Sequence, residues 1–374
     1  MKKIKIAHIL HSVGGVDVSL RFILENINTD KFETIVVHGE NDTKDIYIDR
    51  NSNPLNEYRV SIFRDISIMQ DIKALISVYK IIKKERPNLI HCHSTKGGII
   101  GRIVGYLLNI NVLHTPQAFS FLSTNNTFKK RIYLLLEKLF KFKNSYLLAS
   151  SNSEKNLAIQ KVKYAIKKVL LFNNSIKALN NIIELTIDKT WPDEYICTVG
   201  RPSFQKNIEL MIQILKEVNK TQNTHLVIMG VGYHSDKLAI VKKLIKDLDL
   251  ENAVTLLNWT SRENVFNIIK HSKLYVSTAR YEGLPYSVIE ALALSKPCVV
   301  SNCDGNRDLI INDYNGFVIN NEDIKDFSKK INLLFHDDEL LKKFSTNALK
   351  SFDDNYNIEK NISILEEIYS EYSN

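Results

Sequence analysis

The sequence predicts an α/β protein made of two doubly wound units in tandem, and three observations carry that prediction. The chain has 374 residues, enough for two domains of ordinary size, each with its own core. A strand, a glycine turn and a helix open the chain at Ile4, and a second strand–loop–helix opening stands at Tyr195. Between and after them, strand-like runs alternate with helical patterns, the signature of parallel sheets covered by crossover helices.

The elements follow in order. Ile4–Leu10 alternates and turns at Ser12-Val13-Gly14-Gly15, with a helix from about Val18 to Asn26. Thr34–His38 is the next strand, and Leu75, Ile76, Tyr79 and Ile82 mark a helix over Lys73–Lys84. Asn88–His93 is a strand ending in His91-Cys92-His93, and Ile110–Leu113 precedes His114-Thr115-Pro116-Gln117. Tyr146–Ser150 and Val169–Ile176 complete a first domain over 1–176, with 177–194 read as a linker. The second domain, 195–350, holds strands at Tyr195–Val199, His225–Gly230, Ala253–Trp259, Leu274–Ser277 and Cys298–Ser301, and a hairpin-like signal at Asn315–Val318. A closing helix in 351–374, over Ile358–Tyr372, is expected to pack across the domain junction.

Composition narrows the function classes. The hydrophobic share of 44% and charged share of 25% suit a globular core, and no run of about eighteen apolar residues predicts a spanning helix. The start, Met1-Lys2-Lys3-Ile4-Lys5-Ile6, reads as a first strand rather than a leader, because His8 and His11 interrupt its apolar run. Cys92, Cys197, Cys298 and Cys303 form no C-x-x-C pair and read as reduced core thiols, so neither a metal site nor a cofactor is expected. The net charge of +8 favours anionic partners. Much of it falls on Asn126–Asn144, where Lys129, Lys130, Arg131, Lys138, Lys141 and Lys143 flank Phe128, Ile132, Leu135, Leu136, Leu139 and Phe140. Such a helix suits an anionic membrane surface, and equally an ordinary packed helix with a solvated face. A nucleic-acid module fits poorly, since the cations lack stacking aromatics on a strand face.

The chemistry gathers in two loops. Glu282 and Glu290 bracket a strand-to-helix turn, Ala279-Arg280-Tyr281-Glu282-Gly283-Leu284-Pro285, with Gly283 allowing close backbone approach and helix-start amides suited to an anion or sugar oxygens. From spacing alone, the pair fits a grip on sugar and ribose hydroxyls and fits equally a solvated loop acid beside a salt-bridged helix acid. Gly200-Arg201-Pro202-Ser203-Phe204-Gln205-Lys206-Asn207 sets a planar cation and a point charge on a second strand-to-helix loop, where they can straddle a diphosphate or merely flank a turn. His91 and His93 could hold a metal, but no further ligand shows at helical spacing.

Together these runs resemble the E-x7-E signature and the G-R-x-x-x-x-K-N loop of retaining glycosyltransferases of the GT-B fold (glycosyltransferase family 4, group 1), the family of many bacterial capsule and O-antigen enzymes. The resemblance covers essentially the whole chain. It implies two Rossmann-like domains facing a cleft, an N-terminal acceptor-binding domain and a C-terminal nucleotide-sugar domain. It implies metal-independent transfer with retention, with Arg201 and Lys206 on the donor diphosphate, Glu282 with Gly283 and Leu284 on the donor sugar, and Glu290 on the ribose. Gly15, Gly232 and Arg262 would border the donor, while Gly14, His93 and Gln117 would face the acceptor. Relatives read Thr-x-His-Gly where this chain has Thr115-Pro116-Gln117-Ala118. Gln117 can hydrogen-bond a sugar but cannot take a proton at neutral pH. The resemblance further implies a UDP-sugar donor, a lipid-diphosphate-linked saccharide acceptor, and a cytoplasmic place at the inner membrane face. A sugar-nucleotide 2-epimerase or a non-catalytic scaffold of the same fold are the alternatives.

Overall fold

The computed structural model describes residues 2–12, 14–63, 67–232, 235–320 and 322–373. The chain forms two compact units, Met1–Lys177 with Ile358–Asn374, and Ala178–Asn357. Of the segment 177–194 read as a linker, Lys177 falls in the first unit, while 178–194 carries no regular element and groups with the second unit, where Asn264 accepts from the Thr186 backbone N–H at 2.9 Å and Trp191 is buried.

In the first unit the elements run β1 (Ile4–Ile9), α1 (Gly15–Leu24), β2 (Phe32–Gly39), β3 (Asn56–Val60), α2 (Ile68–Glu85), β4 (Leu89–His93), α3 (Ser94–Leu108), β5 (Asn111–Thr115), α4 (Thr127–Leu139), β6 (Ser145–Ala149), α5 (Asn152–Leu157) and β7 (Val169–Leu171). The sheet order is β3-β2-β1-β4-β5-β6-β7, with every described pairing parallel. Period-two alternation sorts the faces. Ala7, Ile9, Ile90 and Cys92 pack with Ala74, Val78, Ile82 and Val104 of α2 and α3. Ile6 and Leu89 face the other side, against Ile358, Leu365 and Tyr369 of the chain's last helix. The edge strand β3 had no sequence signal, because its Asn-Glu-Tyr-Arg-Val run is polar and largely accessible.

In the second unit β8 (Tyr195–Val199), α6 (Ile208–Val218), β9 (His225–Val231), α7 (Leu238–Asp247), β10 (Val254–Asn258), α8 (Arg262–His271), β11 (Tyr275–Ser277), α9 (Tyr286–Ala293), β12 (Cys298–Ser301), α10 (Asn306–Leu309), β13 (Gly316–Ile319), α11 (Ile324–His336) and α12 (Asp338–Asn355) precede α13 (Ile358–Tyr372), which belongs to the first unit. The order β10-β9-β8-β11-β12-β13 is again parallel. The hairpin-like signal at Asn315–Val318 is therefore corrected: Gly316–Ile319 pairs parallel with Cys298–Ser301, because α10 carries the chain back to the start of the sheet. All four cysteines are free and buried.

The basic helix is shorter than its pattern, since the chain leaves helical geometry after Leu139. Its lone acid, Glu137, lies fully inside, 3.0 Å from Nη2 of the equally buried Arg102 of α3. That pair pins α4 and turns Phe128, Ile132, Leu135 and Leu139 outward, with exposures of 71%, 40%, 55% and 60%. No helix among the described residues is long and apolar enough to cross a membrane.

Candidate active site

Each sheet reverses its winding at one point, β1/β4 in the first unit and β8/β11 in the second, and open α/β sheets bind ligands beyond the carboxyl ends of the strands there. In the second unit the loops after β8 and β11 are the two that the sequence singled out. They are stitched together. Thr278 Oγ1 lies 3.1 Å and 3.0 Å from the carbonyls of Lys206 and Asn207, while Arg280 donates from Nη1 to Phe204 O at 2.7 Å and from its backbone N–H to Gln205 O at 2.8 Å. Asn207 enters α6 at φ 52, a left-handed conformation that asparagine tolerates.

The stitching sets Lys206 Nζ 2.8 Å from Glu282 Oε1, and Gln205 Nε2 donates to Glu282 Oε2 at 3.0 Å. Both carboxylate oxygens are thus held in a charge-assisted grip. Gln205 had not been singled out; its place beside Lys206 was the only signal. Gly305, at φ 81, closes over the turn from the other side, where a Cβ would stand 2.9 Å from Glu282 Cβ and from Gly283 O. Leu284 is buried, and Arg201 opens the loop half-buried.

Glu290 lies inside α9, and Arg262 at the start of α8 reaches it, Nη2 to Oε1, at 2.6 Å. Burial raises the pKa of Glu290, with Arg262 first and then Lys206 opposing that rise. Gly232 follows β9, and a Cβ there would meet Trp259 Cδ1 at 2.9 Å, so the exposed indole rests just beyond the strand end. The structure thereby brings Lys206 onto Glu282 and Arg262 onto Glu290 as two separate ion pairs.

The first unit's strand ends are built otherwise. Gly14, at φ 61 and ψ −129, occupies glycine-only space, and Gly15 begins α1. His93 is only 1% exposed and belongs to a sealed trio. His8 Nδ1 and His93 Nε2 stand 3.1 Å apart, and His91 pairs with Tyr369 Oη at 2.6 Å and Thr115 Oγ1 at 2.9 Å. Sequence spacing could not reveal His8, which reaches His91 through β1/β4 register. Three ligand atoms within 4.8 Å raise the question of a metal. The donor set fits poorly: metal-bound histidines normally anchor their second nitrogen, whereas His8 Nε2 and His93 Nδ1 are buried without a partner among the described residues, and the trio includes no carboxylate. Burial drives the pKa of His93 down to about 3, so the imidazole is neutral.

Gln117 and Ala118 follow β5 at φ 52 and φ 76, a left-handed pair where the resembling family has glycine at the second place. The buried carboxylate of Glu154 holds that turn, accepting from the Ala118 N–H at 2.8 Å and the Ser150 N–H at 2.7 Å. Gln117 Nε2 is buried with no partner among the described residues.

Comparison with known proteins gives this fold its family. Residues 180–351 match the family model for glycosyl transferases, group 1, and residues 23–152 that for glycosyl transferase 4-like proteins. The chain is 30% identical to the UDP-Gal:alpha-D-GlcNAc-diphosphoundecaprenol alpha-1,3-galactosyltransferase of Escherichia coli, across 98% of this chain and 97% of that one. This protein belongs to the group 1 glycosyl transferases. The enzyme is also 26% identical to the capsular polysaccharide biosynthesis glycosyltransferase CapM of Staphylococcus aureus, over 83% of each chain. Its GT-B fold is shared with the Anabaena protein HepE, solved with UDP-glucose, at a TM-score of 0.76 and 16% identity over 98% of this glycosyltransferase and 100% of that chain.

Proposed function

We propose that this glycosyltransferase moves a sugar, with retention and without a metal, from a UDP-sugar to a lipid-diphosphate-linked saccharide during surface polysaccharide synthesis. The observation that carries the reading is the Lys206–Glu282 contact of 2.8 Å at the winding reversal of the second sheet. The UDP-galactose and diphosphoundecaprenol-linked N-acetylglucosamine named for the E. coli relative, and the UDP-glucose bound by the Anabaena protein, are the support for donor and acceptor classes.

In this reading Lys206 and Arg201 take the donor diphosphate, Glu290 the ribose diol, and Glu282 with the Gly283 and Leu284 backbone the donor sugar. Gly15, Gly232 and Arg262 border the donor, and the first unit's Gly14, His93 and Gln117 the acceptor. The bond from the anomeric carbon to the phosphate oxygen breaks, and its electron pair leaves on the diphosphate, whose growing charge the two cations stabilise. The acceptor oxygen bonds the same face of that carbon, and its proton passes to a departing phosphate oxygen. Gln117, unable to take that proton, serves as a hydrogen-bonding residue. At rest Glu282 occupies Lys206, so donor binding exchanges a carboxylate for a phosphate on the same ammonium.

The α4 face docks on an anionic membrane surface at the cytoplasmic side, its apolar row inserting beside Lys129, Lys130, Arg131 and Lys138. The test is release of nucleoside diphosphate from UDP-, GDP- and ADP-sugars, with and without α-N-acetylglucosaminyl diphosphoundecaprenol. Release from one donor, dependent on acceptor and giving an α-linked product by NMR, supports the reading. Nucleotide binding without transfer points to the scaffold, and conversion of the donor to its C2 epimer points to the epimerase.

A further inference from the structure

One surface of the first unit carries positive charge that the fold does not offset. Between Glu137 and Glu184 the chain has nine lysines and a single acid, Glu154, which is 2% exposed and occupied by the Ala118 and Ser150 amides. Lys177 pairs with Glu25 at 3.6 Å, but among the described residues no acid pairs with any lysine from Lys138 to Lys168. Four of these, Lys161, Lys163, Lys167 and Lys168, crowd the loop ahead of β7. Ile166 stands at its tip, 72% exposed.

The loop is firmly mounted. Lys163 turns the chain at φ 66, the Tyr164 N–H closes that turn on Ala158 O at 3.1 Å, and the Lys168 N–H donates to Ala165 O at 2.8 Å. Two ammoniums tie it to the stretch after α4. Lys141 Nζ donates to Lys163 O at 2.5 Å and lies 5.5 Å from the Tyr164 ring centroid. Lys168 Nζ donates to Lys143 O and lies 4.9 Å from the ring centroid of Tyr146. Burial first, and then Lys138 and Lys167 respectively, lower the pKa of Lys141 and Lys168, as expected where cations crowd without a counter-charge. Lys161, Lys163 and Lys167 stay exposed beside Ala165 and Ile166.

An anionic bilayer supplies both things that this loop lacks, phosphates for the ammoniums and an apolar boundary for the tip. Its place agrees with the docking of α4. The loop adjoins the C-terminal end of that helix, whereas Phe128 stands in its first turn, about 20 Å away along the helix axis.

We propose that the 161–168 loop is a second membrane anchor, whose lysines take anionic lipid phosphates while Ile166 enters the acyl boundary. The proposal rests on the α4 docking read above and deepens it: held at both ends, α4 lies along the bilayer plane.

Vesicle sedimentation needs no turnover, so it tests the anchor apart from the chemistry. Ile166→Ser is expected to weaken binding to phosphatidylglycerol vesicles about fivefold, and Lys163→Gln with Lys167→Gln about tenfold. Lys242→Gln with Lys243→Gln on α7 removes the same charge from the second unit and should bind as wild type. Wild-type binding by either loop variant, or an equal loss in the α7 pair, would overturn the proposal. Equal binding to pure phosphatidylcholine would overturn it too. Tight binding of soluble polyphosphate with no gain on phosphatidylglycerol would give the loop to a soluble polyanion instead. Ile166→Cys carrying an environment-sensitive dye gives a second readout, since the four native cysteines are buried. Blue-shifted emission that nitroxide-labelled lipid quenches supports insertion, and unchanged emission on vesicles refutes it. Phe128→Ser with Leu135→Ser, measured alongside, tests the earlier reading: if that variant alone binds weakly, α4 docking stands and the second anchor falls. Wild-type protein that pellets with no vesicle counts against α4 docking itself, and the anchor falls with it.

Discussion

The winding reversals of the two sheets use one topology for opposite electrostatics. At β8/β11 the strand ends carry opposed charges in contact, Lys206 on Glu282 at 2.8 Å, and Arg262 of α8 meets Glu290 of α9 at 2.6 Å. At β1/β4 they carry neutral imidazoles, with His8, His91 and His93 wholly buried and their pKa values lowered by desolvation. A fixed sheet geometry thus dictates where a site can stand, while the side chains at the strand ends dictate what it can hold. The charged end suits a diphosphate, which needs cations. On the proposed reading the neutral end serves hydroxyl groups, which need donors and acceptors without net charge, and there the half-buried Gln117 rather than the sealed histidines offers them.

The largest effect should come from breaking the charged end. Lys206→Ala is expected to lower kcat/KM about a thousandfold in a coupled diphosphate-release assay, since the departing charge loses its nearest cation. Gln117→Ala at the neutral end should cost only about tenfold in the same assay, and an equal collapse would mean that the two ends do not divide the work in this way. The fold beneath α4 depends on a third pair. Glu137→Ala strands Arg102 in the interior and is expected to remove about 3–5 kcal/mol of stability, measured by urea denaturation, whereas replacing both residues by apolar ones should recover much of it.

A pH series sharpens the contrast further. The ordinary value of 6.5 for histidine exceeds the value of about 3 for His93 in the fold, so the unfolded chain binds more protons between them. The stability conferred by the neutral ring is complete above about pH 6.5 and is lost as pH falls toward 3, by at most about 1.4 kcal/mol per pH unit for each such histidine. Denaturation midpoints should therefore drop between pH 7 and 5, and His93→Asn should flatten that slope. The smallest expected effect lies outside both sites. Replacing Phe128 and Leu135 by Ser should leave turnover of a water-soluble acceptor unchanged while weakening sedimentation with phosphatidylglycerol vesicles several-fold.

The charged end was legible before any coordinates. Arg201, Lys206 and Glu282 occupy two strand-to-helix loops and Glu290 the helix that the second loop enters, so their spacing along the chain places them. The neutral end was only half legible. His91-Cys92-His93 announced itself, but His8 joins it through strand register. Edge strand β3 gave no signal because half-exposed edges tolerate polar sequence. The terminal β13 was misread as part of a hairpin because Asn315-Gly316 is a turn signature, whatever the direction of the strand that follows.

By itself, then, the sequence determined the two parallel-sheet units, the loops that carry charge and the family, since all of these are written in contiguous patterns of hydrophobic period and motif spacing. The tertiary structure alone decided which charges meet, that Glu137 anchors Arg102 rather than facing water, and that His8 joins His91 and His93 in a sealed trio. Those are contacts between residues far apart in the chain. Their partners are chosen by parallel register and helix packing, which no local pattern encodes.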